Sequence, residues 1–225
     1  MSGVQKLFHA LSKTFDSLFR YYTELLGKLS SGTSINATRG FPYISEYNDG
    51  TVHHFTYEER LGRRGVEQCI FKVKIGKKFG VVKFTEEYNE KAHRLLAAKG
   101  CAPALHYVGP TGEHGGLRMV VMDFVDGGTL PNNVALSEPQ YAQIKKAVDI
   151  LHREGLVYGD LRPPNIMISE KGPVLIDFDW CKEADKGRYP SSLSLTVNWA
   201  NGVGRSEVMK VEHDNEMLER LRPAR

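Results

Sequence analysis

Cysteine is scarce, with three residues in a chain of 225: Cys69, Cys101 and Cys181. An odd number at wide spacing excludes a disulfide framework and predicts a reducing, cytoplasmic or nuclear compartment. No Cys/His spacing suits zinc, so a structural metal site is not expected. No uncharged apolar run approaches the length of a bilayer span, so membrane insertion is not expected. The first twenty residues lack the unbroken apolar stretch and small-residue cleavage site of a secretory signal. Net charge is only +3, too little to mark a nucleic-acid binder. Repeats and low-complexity tracts are also missing. What remains is an ordinary globular balance, 41% hydrophobic and 25% charged, which excludes wholesale disorder.

The apolar positions Val4, Leu7, Phe8, Leu11, Phe15, Leu18, Phe19, Tyr22, Leu25, Leu26 and Leu29 share one helical face, predicting an amphipathic helix over 4–29. The stretch SSGTSINATRG then reads as a linker. Residues 69–84, CIFKVKIGKKFGVVKF, predict a hairpin broken at Gly76. Residues 86–99 predict a helix ended by Gly100 and Pro103, and residues 117–125 a buried strand followed by an Asp126-Gly127-Gly128 turn. A second helix is predicted over 137–154, then short strands at 166–168 and 174–176. A small sheet with one helix, a Gly-Gly connector and a helical part predict a cleft between two parts.

Three clusters could carry chemistry. Lys83 ends the apolar strand VVKF, and a lysine there needs a partner. Glu86, Glu87 and Glu90 follow it on the next helix. VYGDLRPPNIMI (157–168) places Asp160 and Asn165 five positions apart in a proline-stiffened loop. An acid that orients a hydroxyl and an amide that binds a metal suit such a loop. VLIDFDW (174–180) delivers Asp177 at a strand end, where it can ligate a hard cation beside phosphates. Between Arg60 and Lys83, eight basic residues stand against the single acid Glu67. Only Lys83 among them is singled out; the others read as solvated strand charges.

These motifs, with MDFVDGGTL (122–130), together resemble the protein-kinase-like fold. The likeness is nearest to divergent kinases abundant in fungi, with loop HGDLRPxN, metal motif DFDW, an RYP segment and a late HDxxML. Here the last two are Arg188-Tyr189-Pro190 and His213-Asp214-Asn215-Glu216-Met217-Leu218. The resemblance covers about residues 57–220. It implies an α+β, bilobal fold: an N-terminal helix and linker (1–45), an N-lobe of antiparallel sheet plus one helix (46–125), and a reduced, mainly helical C-lobe (126–225).

The resemblance also implies roles. Lys83 would hold the α and β phosphates of ATP, and Glu90 would pair with it, with Glu87 and Glu86 as alternatives. Asp160 would orient the attacking hydroxyl, while Asn165 and Asp177 would bind Mg2+. Met122, Asp123, Phe124 and Val125 would form the adenine-contacting hinge, and Asp214 would brace the catalytic loop. Four departures stand out. Tyr158 replaces a histidine, removing a brace of the metal-motif backbone. Gly159 replaces an arginine that reads a loop phosphate, and Asp179 replaces a glycine. The phosphate-covering loop is reduced to Leu61-Gly62-Arg63-Arg64-Gly65. Only 48 residues follow Asp177, with no Ala-Pro-Glu motif. The implied function is an ATP- and Mg2+-dependent phosphotransferase acting on a Ser/Thr hydroxyl, with a protein substrate or partner. The alternatives are a pseudokinase binding module and a small-molecule kinase.

Overall fold

The computed structural model describes residues 11–20, 23, 42–62, 69–111, 114–132 and 134–223. The chain divides into two units, residues 1–43 and 44–225. In the first, residues 11–20 are helical (α1) and expose Leu11, Phe15, Leu18 and Phe19. Apart from Thr23, the rest of the helix expected over 4–29 lies outside the described residues.

The second unit opens with a hairpin of β1 (Glu46–Asn48) and β2 (Val52–His54). A five-stranded antiparallel sheet follows, built from β3 (Thr56–Leu61), β4 (Ile70–Ile75), β5 (Lys78–Thr85), β6 (Leu105–Val108) and β7 (Arg118–Asp123). Its spatial order is β3-β4-β5-β7-β6. Alternation on β4 points Phe71 and Val73 into the core, with charged or half-buried neighbours between them. In the central strand β5, Val82, Lys83 and Phe84 are all buried, because both faces of that strand are covered. A lysine in such a strand has no solvent to turn to.

Helix α2 (Glu90–Ala97) begins four residues later than the sequence predicts. Asn89 sets the start: its Oδ1 accepts the amide of Ala92 at 2.9 Å, satisfying a donor of the first turn. The helix buries Ala92, His93 and Leu96. Beyond β7, the connector passes so close to the following strands that a Cβ on Gly127 would stand 2.1 Å from the carbonyl oxygen of Ile168. Only glycine permits that approach, and its φ of 155°.

The C-terminal lobe contains α3 (Glu138–Arg153) and α4 (Val211–Glu219). Helix α3 buries Tyr141, Ile144, Ala147, Val148 and Leu151, the residues that its apolar period selects. This lobe is not purely helical: beside the expected pair of short strands it holds further strand pairings, in two small sheets. Strands β8 (Gly128–Thr129), β10 (Ile166–Ser169) and β11 (Gly172–Leu175) form a sheet ordered β11-β10-β8. A second pairs β9 (Leu156–Val157) with β12 (Lys182–Glu183). Two- to four-residue strands are too short to show a period, and they pair because buried backbone groups need partners. One apolar cluster joins the lobes, running from Leu96 and Val120 through Leu151, Tyr158 and Phe178 to Met217.

Candidate active site

Strand β5 carries Lys83 towards the loop after β11. Lys83 Nζ donates to Asp177 Oδ1 at 2.8 Å and to Asp179 Oδ1 at 2.7 Å. Burial alone would push the amine down, but the two carboxylates outweigh it and the net shift is upward. Burial likewise works against ionisation of Asp177, and Lys83 overrides it, holding that carboxyl below its usual range. Asp179 moves the other way, to about 6, through burial and the charge of Asp177. Its second oxygen accepts from Thr85 Oγ1 at 2.7 Å. Lys83 and Thr85 are two apart on one strand, so both side chains leave the same face and close on one carboxylate.

Glu90, expected beside Lys83, takes Arg94 Nε at 2.8 Å instead, an i,i+4 pair along α2. Glu87 pairs with Lys182 at 2.6 Å. Each glutamate is paired with another cation, and the lysine has two carboxylates from the loop.

Asp160 and Asn165 come together as their spacing suggests. Asn165 Nδ2 donates to the Asp160 carboxylate at 2.7 Å and to its backbone carbonyl at 2.9 Å. Arg162 forks onto the same carboxylate, Nη2 at 2.9 Å from Oδ2 and Nε on Oδ1. Burial raises the Asp160 pKa, and Arg162 only partly offsets this. The Arg162 guanidinium also lies over Trp199, 5.0 Å from its ring centre. Sequence reasoning passed over Arg162, whose only signal was its place two residues after the acid.

The two clusters are linked through backbone. Ile176 N donates to Asn165 O at 3.0 Å, which sets Asn165 beside the residue before Asp177. Asp177 itself has φ 67°, in the left-handed region that disfavours a side chain.

The departures from the family pattern prove structured. Tyr158 is fully buried, and its hydroxyl donates to Ile176 O. The brace expected to be missing is therefore supplied by the phenol. Its ring meets Phe178 edge-on at 5.7 Å, and Phe178 stacks on His93 at 4.6 Å. Gly159 has φ 82°, and a Cβ there would lie 2.1 Å from Met209 Cε. An arginine here would take a strained backbone and would have to push the tip of Met209 aside. Asp214 on α4 accepts from Tyr158 N at 2.7 Å and Gly159 N at 2.9 Å, with His152 Nε2 3.0 Å away. The motif residues His213, Asp214, Met217 and Leu218 form the buried face of that helix.

The hinge segment lies at the end of β7. Met122 is buried, Asp123 pairs with His106 at 2.7 Å, and the amide of Phe124 donates to Phe79 O at 3.4 Å. In the reduced phosphate-covering loop, Gly62 follows β3, while Arg63, Arg64 and Gly65 lie outside the described residues.

Comparison with known proteins gives this arrangement a family context. Residues 111–203 match the protein kinase domain model. The serine/threonine-protein kinase Sgk1 of Rattus norvegicus is 30% identical over 136 residues, 55% of this chain and 31% of that protein. The Homo sapiens protein gives the same figures. The kinase PK-1 of Cydia pomonella granulovirus superimposes with a TM-score of 0.59 at 18% identity, over 73% of this chain and 65% of that one. This chain has a protein-kinase-like fold. It spans 31% of the length of the curated relatives it matches. The protein-kinase-like fold accounts for the order of the parts: lysine on the sheet, acid and amide in the loop after α3, and Asp177 beyond the hairpin.

Proposed function

We propose that the protein is an ATP- and Mg2+-dependent phosphotransferase that delivers the γ-phosphoryl group to a Ser/Thr hydroxyl. The observation that carries this reading is the meeting of Lys83 with Asp177 at 2.8 Å across the two lobes, 94 residues apart in sequence. The donor chemistry fits the implied ligands. Asn165 and Asp177 offer hard oxygen donors of the kind Mg2+ takes, and the Asn165 amide nitrogen is already committed to Asp160. Lys83 offers a cation to phosphate oxygens, and Met122 to Val125 would face the adenine. Bound Mg2+ would neutralise charge developing on the phosphates. Asp160 receives or orients the proton of the attacking hydroxyl, its buried carboxylate raised towards useful basicity. Arg162 must loosen its fork on Asp160 for the hydroxyl to reach that oxygen. The finer kinship with divergent fungal-type kinases rests on the residue motifs, from GDLRPPN and DFDW to RYP and HDxxML.

The test is transfer of labelled γ-phosphate to Ser/Thr peptides and to small alcohols, alongside nucleotide titration with and without Mg2+. Asp160→Asn should lower transfer about 10²- to 10⁴-fold without loss of the fold. Asp177→Ala should abolish the Mg2+ dependence of nucleotide binding. Equal transfer by wild type and Asp160→Asn would sink the catalytic reading. Nucleotide binding without transfer would establish the binding-module alternative, and transfer to alcohols alone the small-molecule one.

A further inference from the structure

We infer that Asp179 is the residue that holds Lys83 at its working position, in place of a glutamate on α2. This deepens the phosphotransferase reading and rests on it only for what the lysine does once placed. The argument begins with the helix. Its first-turn carboxylate, Glu90, is bound to Arg94, and Arg94 in turn donates to Leu105 O at 3.3 Å. Glu87 is bound to Lys182. Both glutamates are therefore engaged elsewhere.

Asp179 meets the requirements of the missing partner. It lies 2.7 Å from the amine, and its other oxygen is fixed by Thr85 on the same strand face. A carboxylate gripped at both oxygens has little freedom to swing, so the amine it binds is fixed as well. The loop that carries it is pinned at two points by Asn89, whose amide donates to Phe178 O at 3.1 Å and whose Nδ2 donates to Cys181 O at 2.9 Å. Asp177 also touches Lys83, but it is the carboxylate proposed to ligate Mg2+. Were Asp177 engaged by a cation, Asp179 would still hold the lysine. The side chain at this position, where the family pattern has a glycine, is a positioning residue.

The contact can be tested without any nucleotide. The folded full-length protein is treated with limiting acetic anhydride, and acetylation of each lysine is read by mass spectrometry, with exposed Lys99 as the internal standard. Loss of one charge-assisted contact should raise the Lys83 rate in Asp179→Asn about tenfold relative to Lys99. Thr85→Val should raise it severalfold, and Glu90→Gln should leave it at the wild-type rate. An unchanged Lys83 rate in Asp179→Asn, or an equal rise in Glu90→Gln, overturns the inference. If Asp179→Asn unfolds and every lysine reacts faster, Thr85→Val decides: no rise at Lys83 overturns the inference. In parallel, Mg2+-nucleotide affinity should fall about tenfold in Asp179→Asn and stay unchanged in Glu90→Gln. Should wild type bind no nucleotide, the phosphotransferase reading falls, while the acetylation contrast still decides who holds Lys83.

Discussion

Tyr158 donates its phenolic hydrogen to the carbonyl of Ile176, the residue immediately before Asp177. A fully buried side chain two residues before Asp160 thus braces the backbone just before Asp177. Tyr158→Phe keeps the ring against Phe178 and removes only the donor. The carbonyl left behind should cost about 1–3 kcal/mol. A urea titration should show that loss, and the Mg2+ dependence of nucleotide binding should weaken with it. An unchanged midpoint would mean that the brace is idle.

Gly159 invites the opposite experiment, restoration of the arginine usual in kinases. Gly159→Arg forces a side chain into φ 82° and into Met209, and should destabilise by about 2–4 kcal/mol. Gly159→Ala tests the same space more gently, and combining it with Met209→Ala should recover the steric part but not the backbone part. Chemical denaturation of the four proteins makes a double-mutant cycle, in which strict additivity would refute the clash.

Asp214 accepts two backbone amides and faces His152. Asp214→Asn keeps the shape but loses the charge that strengthens those bonds, and should cost about 1.5–3 kcal/mol. Hydrogen exchange should show the amides of Tyr158 and Gly159 losing protection first. Protection equal to wild type would remove Asp214 from its bracing role.

His93 gives a pH dependence. Burial lowers its pKa to about 4, against 6.5 for the free side chain; its Nε2 meets Pro103 O at 2.9 Å, and Arg94 adds a repulsive charge nearby. Tyr88 Oη lies 2.6 Å from its Nδ1. The folded pKa is depressed, so the folded state prefers the neutral ring. The unfolded chain takes up the proton first as pH falls below 6.5, and stability drops until pH reaches about 4. The difference in unfolding free energy between wild type and His93→Gln should shrink by about 3 kcal/mol over that window. Taking the difference cancels the carboxylates common to both proteins. A constant difference from pH 7 to pH 4 would refute the depressed value.

Much of the site was legible because it is local in sequence. Asp160 and Asn165 share one loop, and Asp177 ends the hairpin that follows, so spacing alone grouped them. The face of α3 was legible for the same reason, since an apolar period needs no tertiary knowledge. Lys83 was marked by its apolar strand, but its partner was not, because a choice among Glu86, Glu87 and Glu90 depends on helix rotation and on cations elsewhere. Here Arg94 and Lys182 settled it. The role of Asp179 depends on Thr85 and Lys83, both more than ninety residues away. Of the small sheets of the C-terminal lobe, the β10–β11 pair was legible as two short apolar strands, whereas strands as short as β8, β9 and β12 have no alternation to read.

Asn89 uses one side chain for two tasks: its Oδ1 caps α2, and its Nδ2 ties down Cys181 O. Losing that one amide would free both at once, so the opening turn of the helix and the loop bearing both aspartates share a single tether.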